Sequence, residues 1–323
     1  MKSERRYLAL LAMLALGCTG CSAPGPGAHD EPAAAAKEHL TIAVVTHGSP
    51  GDPFWSVVKR GAEQAGKDLG VRVTYENAPN PVQQSQLIDS AVASHDDGLV
   101  VSMANPDGVK AAVEQAVRSG MPVITINSGG EYSQAFGAET HVGQSEYIAG
   151  QATGGKLRQA GVRNLICVIH EAGNIGLENR CKGAADTLDG KMTNLQVDVA
   201  NIADAQNVIR SKLIADPSVD GVLALNPAVA VAASHAIDKA RSRAKLATFD
   251  LSPDVLRLIE KGKVLFAVDQ QPYLQGYLPV VFLTLHARNG NVVGGGRPVY
   301  SGPNFVTRAN AAKVEQFASR GTR

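Results

Sequence analysis

The chain has 323 residues, 44% of them hydrophobic and 19% charged, and its 31 Lys and Arg nearly balance its 30 Asp and Glu. That length accommodates two domains, and the composition is that of a globular protein. The charge balance, with no basic run and no interleaving of basic and aromatic residues, argues against a nucleic-acid surface.

The first element is an address. Lys2, Arg5 and Arg6 precede an unbroken apolar run from Leu8 to Leu16, too short to span a bilayer and followed by small residues, which is the pattern of a secretory signal. Leu14-Ala15-Leu16-Gly17-Cys18 resembles a bacterial lipobox, in which the cysteine is acylated and becomes the new N-terminus; Cys21, after Thr19-Gly20, is the alternative. Residues 1–21 are thus expected to be signal and lipobox, and residues 22–39, rich in Pro, Gly and Ala, a flexible tether.

From residue 40 short β-rich runs alternate with helical patterns. Strands are predicted at 40–46, 71–75, 98–102 and 122–126, with helices at 53–69, 82–94 and 107–118 between them. The series restarts with a strand at 164–169 and a helix at 175–188, then strand 195–199, helix 205–215, strand 221–225 and helix 228–239. Strand 246–249, helix 253–261, strand 264–268 and a last helix at 273–288 complete it. Apolar runs of this kind belong to parallel strands buried on both faces. The fold class is α/β, two doubly wound parallel-sheet domains with a ligand cleft between them.

The stretch between the first strand and first helix, Thr46-His47-Gly48-Ser49-Pro50-Gly51-Asp52-Pro53-Phe54-Trp55, holds the only Trp of the chain. Asp52 is the expected N-cap and Pro53 the first helical residue, where a missing N–H costs nothing. The loop lies at the carboxyl end of a strand, where open α/β sheets bind ligands. Phe54 and Trp55 offer aromatic faces to the C–H face of a sugar, and Asp52 accepts from hydroxyls; stapling of the helix to the sheet is the other role open to the two rings. Other predicted strand ends carry mostly Asn, Asp and Gln: Asn105, Asn127, Asn226, Asp250 and Gln270 among them. These side chains donate and accept with little net charge, as hydroxyl recognition requires. Cys167 on a strand and Cys181 on the following helix fall at similar depth and can bridge strand to helix as a disulfide.

With these loops in place the chain resembles the type I sugar-binding proteins of bacterial ABC importers, the group of the ribose- and galactose-binding proteins, over about residues 40–307. The resemblance rests on Asp52-Pro53-Phe54-Trp55, Asn127-Ser128, Asn226, Phe249-Asp250 and Gln270. It implies two similar lobes joined by a three-strand hinge, residues 40–144 plus 271–298 forming the first and 145–270 plus 299–323 the second. Ribose binders have Asp-Arg where this chain has Asn127-Ser128. Their clamping arginine falls on Glu178, with Arg180 two residues later serving either ligand or helix packing. Those departures, with the insertion Gly48-Ser49-Pro50-Gly51, point away from ribose and toward another small neutral sugar or polyol.

The resemblance therefore implies a monomeric, lipid-anchored binding protein on the outer face of the cytoplasmic membrane that delivers ligand to an ABC permease. A receptor of the same fold serving a signalling partner, or a binder of a non-sugar small molecule, is the alternative. The expected ligand shell is Asp52, Phe54, Trp55, Asn105, Asn127, Arg180, Asn226, Asp250 and Gln270. No catalytic set, cofactor or metal is expected. Gly61 to Lys67 matches the start of a phosphate-binding loop, but Asp68 stands where Ser or Thr is needed and the stretch is helical rather than post-strand.

Overall fold

The computed structural model describes residues 39–323; the signal, the lipobox cysteines and nearly all of the tether lie outside the described residues. The first half runs β1 (Thr41–Thr46), α1 (Pro53–Leu69), β2 (Arg72–Asn77), α2 (Pro81–Ala93), β3 (Gly98–Ser102), α3 (Pro106–Arg118), β4 (Val123–Ile126) and β5 (Thr140–Gly143). The second begins with α4 (Glu146–Gln159) and continues β6 (Asn164–Ile169), α5 (Ile175–Leu188), β7 (Lys191–Gln196), α6 (Ile202–Ala215), β8 (Gly221–Ala224), α7 (Pro227–Ala240), β9 (Lys245–Phe249), α8 (Pro253–Glu260) and β10 (Phe266–Asp269). The chain closes with α9 (Pro272–Asn289), β11 (Val299–Tyr300), β12 (Asn304–Thr307) and α10 (Ala311–Ala318).

Two six-stranded sheets result, ordered β11-β5-β4-β3-β1-β2 and β12-β10-β9-β8-β6-β7. All pairings are parallel except β10 with β12. The two orders correspond strand for strand, so β4 of one lobe is the counterpart of β9 of the other. Strands such as β3, β4, β8 and β10 are buried throughout because helices cover both sheet faces, and an apolar core lies on each face of each sheet.

The chain passes between lobes three times, at residues 143–146, 269–272 and 300–304. Ser301 ties the crossings together: its N–H donates to the Gly143 carbonyl at 2.6 Å and its hydroxyl to the Gln270 carbonyl at 2.7 Å. The third crossing follows Tyr300, not residue 298 as expected, because β11 pairs with β5 in the first sheet.

Two other expectations shift. The strand expected at 195–199 is β7 at Lys191–Gln196, an edge strand in which only Met192 and Leu195 are half-buried, with too few apolar side chains to mark its start. The second lobe's series begins before residue 164, with α4, whose sequence carries Gly150, Gly154 and Gly155 and so reads weakly as a helix. Gly150 and Gly154 have a packing reason. A Cβ at Gly150 would strike the backbone of Arg180, and one at Gly183 the backbone of Tyr147, so α4 and α5 pack backbone against backbone. The phosphate-loop lookalike lies inside α1.

Candidate functional site

The strand ends of both sheets face one another across a cleft lined by His47, Asp52, Phe54, Trp55, Asn127, Ser128, His170, Glu171, Asn174, Leu177, Arg180, Leu225, Asn226, Asp250 and Gln270. The space they bound, counted out to the solvent at its mouth, is about 340 Å³. Hydrogen bonds cross it, so the two lobes stand closed on each other.

The first wall grows from β1. His47 is held by Ser102 at the end of β3, whose Oγ lies 2.9 Å from the His47 N–H and 2.7 Å from Nδ1; Nε2 faces Glu171 of the other lobe at 3.8 Å. Asp52 caps α1 by accepting from Phe54 N–H at 2.8 Å through Oδ1. Its Oδ2 accepts from Asn226 Nδ2 at 3.2 Å, while Asn226 caps α7 through its own Oδ1. Trp55 and Phe54 are each 7% exposed, their rings edge to face at 5.0 Å, and the Trp55 ring meets His47 at 4.7 Å.

Asn127 and Asp250 are counterparts, each following its lobe's fourth parallel strand with a left-handed backbone, φ 61° and 66°. Asn and Asp tolerate that region better than other side chains. Gln270, on the second crossing, links them: Asn127 Nδ2 donates to Gln270 Oε1 at 3.1 Å, and Gln270 Nε2 donates to Asp250 Oδ1 at 2.9 Å. Asn174 caps α5, lies 3.3 Å from the Ser128 hydroxyl, and donates to Glu171 at 2.6 Å. The Ile175 N–H donates to the Ala104 carbonyl at 3.0 Å, a backbone bond between lobes.

Arg180, 3% exposed, stacks over the Phe249 ring at 4.5 Å. Glu146 holds it with two hydrogen bonds, Nε to Oε2 at 2.5 Å and Nη2 to Oε1 at 2.9 Å, and Nη1 lies 3.9 Å from Asp250 Oδ2. Burial works against the Arg180 charge, but Glu146, Asp250 and Glu171 together raise its pKa. Burial pushes Asp250 up to about 7 against the opposing pull of Arg180, and burial also raises Asp52. His47 falls to about 3 and His170 to about 4, both chiefly by burial, so both rings are neutral hydrogen-bonding groups.

The structure thus brings together Asp52, Phe54, Trp55, Asn127, Arg180, Asn226, Asp250 and Gln270. It does not bring Asn105, which is exposed and serves as the N-cap of α3 by accepting from Gly108 N–H at 2.9 Å; a capping role and a strand-end role look alike in sequence. Glu178 is exposed, whereas Leu177 and Arg180 of this helix turn reach the cleft. Glu171 and Asn174 add to the shell from the loop after β6, and Glu146 stands behind Arg180. Nothing in the hydrophobic pattern marks Glu146, because its position at a domain crossing belongs to no periodic face.

A model of the family described as "periplasmic binding protein domain" matches residues 42–291. A carbohydrate transporter from Acidothermus cellulolyticus 11B, solved in complex with myo-inositol, is 40% identical with a TM-score of 0.87, covering 88% of this chain and 100% of its own. The D-apiose import binding protein of Paraburkholderia graminis is 27% identical over 334 residues, 99% of this chain and 100% of that one. The xylose/arabinose-binding protein XylF of Sulfolobus acidocaldarius is 26% identical over 300 residues, 84% of this chain and 73% of its own.

Proposed function

The chain belongs to the periplasmic binding protein family, and from that premise we propose that it is the substrate-binding component of an ABC importer for a small neutral polyol or sugar, with a cyclitol such as myo-inositol the first candidate. The observation that carries this reading is the cleft. It sets uncharged amide and imidazole groups from both lobes around two aromatic rings, in the mixture of donors and acceptors that a ring of hydroxyls requires. The 40% identical relative solved with myo-inositol supports the ligand class.

In this reading ligand enters between open lobes, and its hydroxyls bond to both walls only when the lobes close. Its binding free energy therefore shifts the hinge equilibrium toward the closed form, which a permease recognises. Asp250 and Gln270 accept and donate to hydroxyls, Arg180 donates, and Phe54 and Trp55 cover the apolar face. Anchoring through an acylated Cys18, or Cys21, would keep a monomeric receptor beside its permease on the outer face of the membrane.

A thermal-melting panel of pentoses, hexoses, myo-inositol, linear polyols, nucleosides and amino acids tests the assignment, since a ligand bound only by the folded state raises the melting temperature. A shift of several degrees with a cyclitol or neutral sugar is expected. Shifts confined to nucleosides or amino acids would overturn the ligand class.

A further inference from the structure

Among the described residues lining the cleft, Arg180 carries the only permanent positive charge, beside the carboxyls of Asp52, Glu171 and Asp250. A buried guanidinium facing a ligand cleft is ordinarily a receptor for carboxylate or phosphate, because its planar fork of donors matches two oxygens at once. Here the side-on edge of that fork is already filled, and the remaining Nη1 lies 3.9 Å from Asp250 Oδ2. Glu146, itself 6% exposed, takes Nε and Nη2. Gln144 fixes the carboxylate in turn by donating from Nε2 to Glu146 Oε2 at 2.9 Å. Glu146 is the first residue of α4 and ends the first lobe crossing, while Arg180 lies on α5, and the glycine-lined contact of α4 with α5 brings the two backbones close enough for the pair.

We propose that Glu146 is the charge-selectivity determinant of the cleft. By occupying the side-on edge of Arg180 and cancelling its charge, with Asp250 facing the remaining Nη1, it leaves a neutralised, immobile donor that serves a hydroxyl, and excludes carboxylate-bearing sugars and phosphorylated polyols. Glu146 is a positioning residue that acts through Arg180. The inference deepens the polyol-binding reading and rests on it. Its physical basis is that an anion entering the closed cleft would meet carboxyl groups in a water-poor space, with the one cation already engaged. A neutral ligand incurs no such penalty.

The test compares neutral and acidic partners of nearly the same shape by calorimetric titration: glucose with glucuronate, galactose with galacturonate, and myo-inositol with myo-inositol 1-phosphate. The unaltered protein should bind at least one neutral member and reject its acidic counterpart. Glu146→Gln keeps the side-chain shape and one acceptor for Arg180 while removing the charge. It should hold neutral affinity within a few-fold and improve acid affinity relative to neutral by about tenfold, with the gain shrinking as salt is added. Glu146→Asp, which keeps the charge, should continue to reject the acids whatever it does to neutral affinity, so it carries the test if the Gln variant fails to fold. Equal weakening of both ligand types in Glu146→Gln, or admission of acids by Glu146→Asp, would overturn the proposal and leave the polyol reading intact. Absence of neutral binding by the unaltered protein would remove both.

Discussion

Asn226 Nδ2 donates to Asp52 Oδ2 at 3.2 Å across the cleft, and each of the two residues caps its own helix with its other side-chain atom. The N-termini of α1 and α7, one from each lobe, are therefore joined through their caps. In the proposed function the same two atoms become available to ligand hydroxyls when the lobes part, which would couple helix capping, ligand recognition and closure in one pair.

Asp52 variants should separate these roles. Asp52→Asn keeps an acceptor for the cap but sets an amide donor against the Asn226 donor, which cannot turn without losing its own cap. The melting temperature should hold while ligand affinity falls about tenfold, the cost of one unpaired buried polar group. Asp52→Ala should lose the affinity and also about 1 kcal/mol of stability from the lost cap. Melting and calorimetry on both variants check this; equal stability losses would contradict it.

Acid should destabilise the protein. Burial lowers His47 to about 3, and His141 and His170 to about 4, from an ordinary 6.5. The unfolded chain therefore takes up protons first as pH falls, and the stability present above about pH 6.5 is lost toward pH 4. Asp250, raised to about 7, and Asp52, also raised, act with the opposite sign, since they bind protons more readily when folded. Burial raises Asp96 and Glu139 as well, but the largest displacements are those of the three histidines and Asp250, three against one, so stability falls between pH 6.5 and 4.5. Chemical denaturation across that range measures it, and constant or rising stability toward pH 4.5 would contradict the balance.

Cys167 of β6 and Cys181 of α5 form a buried disulfide that closes a loop of sequence separation 14. A loop of that length constrains the unfolded chain by about 3 kcal/mol. The bond also pins α5 one residue beyond Arg180. The Cys167→Ala/Cys181→Ala double variant should melt at a markedly lower temperature and bind ligand more weakly; a melting temperature equal to that of the oxidised parent would refute this.

The fold was legible because its central strands are apolar on both faces and its helices open with Pro, Asp, Asn or Ser at strand ends. What escaped was set by tertiary contact. Helix α4 hides behind glycines that α5 requires, and β7 is an edge strand with little apolar surface. In the site, Asp52, Asn127, Asn226, Asp250 and Gln270 showed themselves as polar residues after strands, but Asn105 carried the same mark and turns to its own helix. Glu146 left no mark, because its importance comes from Arg180, 34 positions away in sequence and 2.5 Å away in space.

In the proposed function, the closed cleft binds a neutral polyol through side chains of both lobes. That binding is tested most directly by calorimetric titration of myo-inositol into the protein and its Asp250→Ala variant. Asp250 is buried, follows β9 and bonds to the hinge residue Gln270, so its loss should leave the fold in place and weaken binding by about ten- to a hundredfold. Saturable one-site binding in the parent, weakened by that factor in a folded variant, is the expected result. Unchanged affinity in Asp250→Ala, or no heat with any neutral polyol or sugar in the parent, would contradict the account.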